Sequence, residues 1–269
     1  MATHHGEVFE GLVVSRQNYK ERDMLIKILT DRFGYKTFFV RGVRKRGFKM
    51  GAAILPFTRG TYIGNINDVG LSFLTAPRGL QQYQAISEDI ALNAYATYIL
   101  ALAERAFGSD TILPGLWFEK IIEAIWLIDT GKDPAVVTNI IEVQLLAVFG
   151  VAPQLAGCVV CQKTSRPFDY SESYGGLLCP QHYHLDPHRL HLDQRTIYYL
   201  QAFSVLDLKK LGKVELRTET KQRLRQTLDL IYDHQVGIYL KAKKFLDQMD
   251  SFAGMFHPLP KKDPKVDDG

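Results

Sequence analysis

Cysteine is scarce in this chain, with three in 269 residues, and all three fall in one pattern: Cys158-x2-Cys161-x17-Cys179-x2-His182. Two ligands from one tight turn and two from another is the spacing that binds Zn²⁺ tetrahedrally through thiolate and imidazole. Four protein ligands close the coordination sphere. The expected site is therefore one structural zinc ion, with no open position for a substrate. Gly157 precedes the first pair and Gly175-Gly176 the second, and both leave the backbone free to turn tightly. His184 lies two residues past His182 and competes with it for the fourth position.

The second chemistry-bearing stretch is Arg41-Gly42-Val43-Arg44-Lys45-Arg46-Gly47-Phe48-Lys49, in which five of nine residues are basic. Cations of this density neutralise phosphates, and a neighbouring ring can stack on a base. Arg41, Arg44, Lys45, Arg46 and Lys49 are the expected phosphate contacts, and Phe48 is the expected stacking ring. Lys36, Arg16, Lys20 and Arg22 would extend the patch. Tyr35, Phe38, Phe39 and Tyr62 are expected mostly in a core. Gly42-x4-Gly47 is followed by Phe48-Lys49 and not by Lys-Ser/Thr, which excludes a phosphate-binding P-loop. Neither an H-E-x-x-H helix nor a G-x-S-x-G elbow occurs, and the other histidines are scattered. No catalytic constellation is evident, so a binding protein is expected and not an enzyme. Lys221, Arg223, Arg225, Lys241, Lys243 and Lys244 offer a further basic face for DNA or an acidic peptide.

The elements that must carry these residues can be placed by periodicity. Residues 7–14, 23–30, 35–40, 57–63 and 69–75 read as short strands separated by turn signals. Five such strands suit a small closed barrel such as an OB-fold, with the basic stretch as a loop between strands. From Ser87, read as an N-cap, the period becomes helical: about 87–107, 116–129, a third helix capped by Asp133 with Pro134 at its first position, 193–208 and 218–247. The expected organisation is α+β: an OB-fold over residues 1–80, a helical domain over 81–154 and 186–254, a zinc-ribbon-like insertion over 155–185, and a disordered tail over 255–269. Charge follows this division. Residues 1–80 carry 13 Lys/Arg against 6 Asp/Glu, and residues 81–157 carry 3 against 9. A basic first unit beside an acidic middle points to a polyanion partner at one end. The most apolar stretch, 90–103, is too short for a membrane span and contains Asn93. The N-terminus has no signal-peptide core, and no cysteine is left for a disulfide, so a reducing cytoplasm is expected.

In their order and spacing these parts resemble the bacterial recombination mediator family RecO. The resemblance is carried by EGLVVSRQNYKERDML (10–25), TDRFG (30–34), VRGVRK (40–45), LPFTRG (55–60) and LLAVFGVAPQL (145–155), the last running into the Cys158/Cys161 knuckle. It covers residues 7–250. It implies a protein that binds single- and double-stranded DNA and anneals complementary strands. With RecR it would help load RecA onto DNA coated by the single-strand binding protein SSB, whose acidic, apolar C-terminal tail it contacts. It also implies a cytoplasmic, nucleoid-associated location. A competing reading is an RNA-associated or transcriptional OB/zinc-ribbon protein, which preference for DNA strands and SSB over structured RNA would exclude. A cryptic hydrolase would require turnover in a nuclease or nucleotide hydrolysis assay.

Overall fold

The computed structural model describes residues 2–109 and 111–255. Strands β1 (Thr3–Tyr19), β2 (Asp23–Thr30), β3 (Gly34–Val40), β4 (Thr58–Asn67) and β5 (Ser72–Gln82) close into a barrel in the order β1-β2-β3-β5-β4. Within the described barrel the β3–β5 pairing is parallel and the others antiparallel. β1 closes the barrel because it is long enough to serve two neighbours: Thr3 to Leu12 pair with β4, and Gly11 to Tyr19 pair with β2. Among the described residues the barrel leaves no strand edge open. Phe9, Val13, Ile26, Ile28, Phe38, Val40, Tyr62 and Ile66 form the barrel core, and a short 3₁₀ turn at Ala52–Ile54 plugs one end.

The second core is helical. Helices α1 (Gln84–Glu88), α2 (Ile90–Phe107), α3 (Gly115–Asp129), α4 (Pro134–Val148), α5 (Gln194–Val205), α6 (Thr218–Ile231) and α7 (Lys241–Met255) follow the barrel. α4 is the axis: every residue from Val136 to Leu146 is buried, the polar Thr138, Asn139, Glu142 and Gln144 included. The polar groups it carries inward are partnered at Glu142, which accepts from Tyr98 Oη at 2.6 Å, and at Gln144, which donates to the carbonyls of Phe203 and Leu206. Its N-terminus is capped by Asp133, whose side chain accepts from the Ala135 and Val136 amides.

Two helix boundaries differ from expectation. Ser87 is not the cap of α2. It lies in α1 with its hydroxyl on the Tyr83 carbonyl, and Asp89 caps α2 by accepting from Ala91 and Leu92. A tertiary bond from the Ile86 amide to Asp129 fixes α1 as a separate turn. The long helix expected over 218–247 is broken. α6 passes into a π-turn at Tyr232–Val236, and Gly237 then takes a left-handed φ of 66° that ends it. The expected tail falls outside the described residues from 256 onward, and Met255 is the last residue of α7.

The cysteine segment folds as β6 (Gln154–Cys158), β7 (Asp169–Ser171) and β8 (Gly176–Leu178) in the order β6-β8-β7, followed by a 3₁₀ turn at Pro180–Leu185. Leu155, Phe168, Tyr170, Leu177 and Leu178 join the helical core, so the insertion shares its apolar interior with the helices. Barrel and helices meet where Tyr35 Oη donates to the Leu100 carbonyl at 2.8 Å and Lys27 pairs with Glu104 at 2.7 Å. Among the described residues no helix is long and apolar enough to cross a membrane.

Candidate nucleic-acid interface and metal centre

The first cysteine pair is set by a knuckle at the end of β6. The Cys158 amide donates to the Lys163 carbonyl, and the Gln162 amide returns to the Cys158 carbonyl. Gly157 is there because of a close approach: a Cβ on it would lie 2.7 Å from the Lys163 carbonyl oxygen. The second pair follows β8, with the His182 amide bonded to the Cys179 carbonyl. Together the two turns bring the ligand atoms of Cys158, Cys161, Cys179 and His182 within 4.8 Å of one another.

The edges of this cluster fit a tetrahedral ion. Metal bonds of ~2.3 Å to sulfur and ~2.0 Å to nitrogen require ~3.8 Å between two sulfurs and ~3.5 Å between sulfur and nitrogen. The Cys161–Cys179 sulfurs are 3.8 Å apart, and His182 Nδ1 is 3.5 Å from Cys158 Sγ and 3.3 Å from Cys179 Sγ. Burial pushes the Cys158 thiol up, but the Cys161, Cys179 and Val160 amides outweigh it and hold it at about 6, where a thiolate ligand forms readily. His184 is not in the cluster. Its exposed ring lies 6.4 Å from that of His182, centroid to centroid.

The barrel carries the basic stretch between β3 and β4. Arg16, Lys20, Arg22, Arg41, Arg44, Lys45, Arg46 and Lys49 are all exposed. The β1–β2 turn and the basic loop are tied together: Arg44 Nη1 donates to the Glu21 carbonyl at 3.2 Å, and the Gly42 amide donates to Asp23 at 2.8 Å. Between turn and loop lies an open groove of about 840 Å³, walled by Lys20, Arg22, Arg41, Lys45, Arg46 and Lys49 among others.

One expected site residue sits elsewhere. Lys36 alternates with Phe38 and Val40 on the inward face of β3 and is 4% exposed, with Nζ donating to the Asn67 and Asp68 carbonyls at 3.1 and 2.9 Å. Its ammonium ties β3 to the end of β4 and is not presented to a phosphate. Phe48 is half-buried against the barrel core and also lines the groove. Three further rings lie together outside that core. Tyr19 at the end of β1, Phe39 on β3 and Phe73 on β5 form an edge-to-face row on the outside of the barrel, with centroids 5.7 and 6.1 Å apart. Lys20 lies over the Tyr19 ring and Arg41 over the Phe39 ring. For Phe39 the signal was strand alternation, which places it opposite in face to Phe38.

Residues 5–83 match the family described as "Recombination protein O N terminal", and residues 87–244 match "Recombination protein O C terminal". The chain belongs to the RecO family. The two matches meet at the end of the barrel. The DNA repair protein RecO of Ligilactobacillus salivarius is 57% identical over 242 residues, covering 90% of this chain and 93% of that protein. That of Latilactobacillus sakei is 53% identical over 267 residues, covering 99% and 98%. That of Enterococcus faecalis is 41% identical over 253 residues, covering 94% and 96%.

In this RecO-family chain half of the second basic face is paired internally, while Arg223, Lys241 and Lys244 are exposed. Lys221 meets Asp133 at 2.6 Å, Lys243 meets Asp229 and Asp247 at 2.7 Å each, and Arg225 bonds to Asp247. These contacts hold α7 against α6 and α6 against the start of α4.

Proposed function

We propose that this chain is a DNA repair and recombination mediator. It binds single- and double-stranded DNA, anneals complementary strands and, with RecR, helps load RecA onto SSB-coated single strands. The observation that carries the reading is the set of seven exposed cations on the β1–β2 turn and the β3–β4 loop of the barrel, six of which wall one groove whose acidic residues are Glu21 and Asp23, in a chain of the RecO family. Such a surface neutralises phosphates without reading bases, which is what holding two strands of any sequence requires. No covalent step is needed, and the protein acts by binding and not as an enzyme, in the cytoplasm and at the nucleoid. One Zn²⁺ held by Cys158, Cys161, Cys179 and His182 is structural: it locks the ribbon to the helical core.

The SSB tail is acidic and apolar, so its site needs exposed apolar side chains beside cations. A groove between α3 and the end of α5 offers Leu116 and Val205, both 83% exposed, with Lys120 and Lys209, against the three carboxylates Glu119, Glu123 and Asp207. Val205→Asp should weaken binding of an SSB-tail peptide at least about tenfold; unchanged binding would move the tail elsewhere. The mediator reading is tested by annealing two complementary strands coated with the cognate SSB. Acceleration by the protein is expected, and its absence with a folded, DNA-binding sample would refute the reading.

A further inference from the structure

We propose that Tyr19, Phe39 and Phe73 form a base-stacking platform that makes the barrel prefer single strands over duplex. The inference rests on the DNA-binding reading and deepens it. Tyr19 is 37% and Phe73 41% exposed, and Phe39 between them is half-buried. Phe39 pairs in register with Phe73 across the parallel β3–β5 ladder, and with Leu25 across β2–β3, so the row lies across the sheet with its rings fixed by the strands.

Charge decides what the row receives. An exposed apolar row alone fits any apolar partner, but this one is flanked by Lys20 and Arg41, each over a ring at 5.5 and 5.6 Å, and it adjoins the basic groove. Cations alternating with rings suit a partner that alternates phosphates with flat bases. In a duplex both faces of each base are already stacked on neighbours, so the rings gain little there. In a single strand the faces are free. The basic loop cannot make this distinction, because it meets phosphates, which both forms present. A base held by its face also keeps its hydrogen-bonding edge open, so a strand on this platform can still pair with its complement.

The test uses the full chain carrying Phe73→Ala or Tyr19→Ala, with oligo(dT) and a duplex of equal length as probes. Loss of one ring should weaken oligo(dT) binding by about 5-fold or more, leave duplex binding within about 2-fold, and leave the salt slope unchanged because no charge is removed. Phe73→Tyr should bind as the wild type does. Phe73→Trp should add a fluorescence signal, over that of Trp117 and Trp126 in α3, that is quenched by oligo(dT) and not by duplex. Equal losses on both DNA forms, a changed salt slope, altered self-association without loss of oligo(dT) binding, or an unquenched tryptophan would each overturn the platform. A wild type that binds neither DNA form would sink the DNA reading and the platform with it. A wild type that binds both, matched by its ring variants, would sink the platform alone.

Discussion

The basic loop makes a prediction whose size can be worked out. Lys45, Arg46 and Lys49 are exposed on the groove wall, whereas Arg44 also braces the Glu21 carbonyl and Arg41 lies over Phe39. The triple change Lys45→Ala, Arg46→Ala and Lys49→Ala therefore removes charge with least disturbance to the loop. If each cation neutralises one phosphate, the slope of log K against log salt shrinks by ~2 on single strands and by ~2.7 on duplex. Between 50 and 200 mM salt, a fourfold change, the gap between wild type and variant should then narrow about 20-fold on single strands and about 40-fold on duplex. These are upper figures, since a side chain can make at most one such contact at a time. Fluorescence anisotropy of a labelled oligonucleotide across that salt range reads both slopes. Parallel lines for wild type and variant, with unchanged melting, would remove the loop from the DNA site however the affinities compare.

Lys36→Met should cost roughly 1–3 kcal/mol of stability, since it strands the Asn67 and Asp68 carbonyls at the barrel end, yet leave the salt slope of DNA binding unaltered. A reduced slope would return Lys36 to the interface. Stripping the metal, or replacing Cys158 and Cys161 with Ser, should lower the melting temperature of the helical part, because Cys158 and Cys179 lie in its core. A loss of even ~4 kcal/mol corresponds to a fall of roughly 8–16 °C, and an unchanged melt in chelator would count against a structural ion. Glu142 gives a pH dependence. Burial raises its carboxyl to about 7, against the pull of Lys243 and the Tyr98 hydroxyl. The folded state then holds a proton that the unfolded chain releases near 4.5, so stability should fall as pH rises from about 4.5 to 7, by at most roughly 3 kcal/mol. Glu142→Gln should flatten that decline in denaturant titrations at pH 5 and pH 8, and an equally steep decline in the variant would place its origin elsewhere.

The readings that succeeded from sequence rested on local chemistry. β2 occupies residues 23–30 as its alternation predicts, and Asp133-Pro134 opens α4 through a cap that depends on two neighbouring amides. The metal pattern needs only two tight turns, and the structure brings its four ligand atoms together. The readings that failed depended on partners outside the stretch being read. The strand expected over 7–14 is longer: β1 continues through Ser15 to Tyr19 because Arg16 and Asn18 pair with Ile26 and Met24 of β2. Tyr19 lies beyond the expected strand, so its place in the sheet was not legible. Lys36 was misread differently: a lysine among aromatic residues suggests a surface, and only the alternation with Phe38 and Val40 turns it inward. Its two carbonyl partners belong to a strand end 31 and 32 residues away. The same alternation that turns Lys36 inward turns Phe39, three positions on, outward. Slipping β3 by one residue would exchange them, placing the Lys36 ammonium on the rim and the Phe39 ring in the core. The division of this barrel face between charge and rings is thus fixed by the pairing of β2 with β3, and the basic loop that follows at Arg41 inherits its place beside the rings from that register.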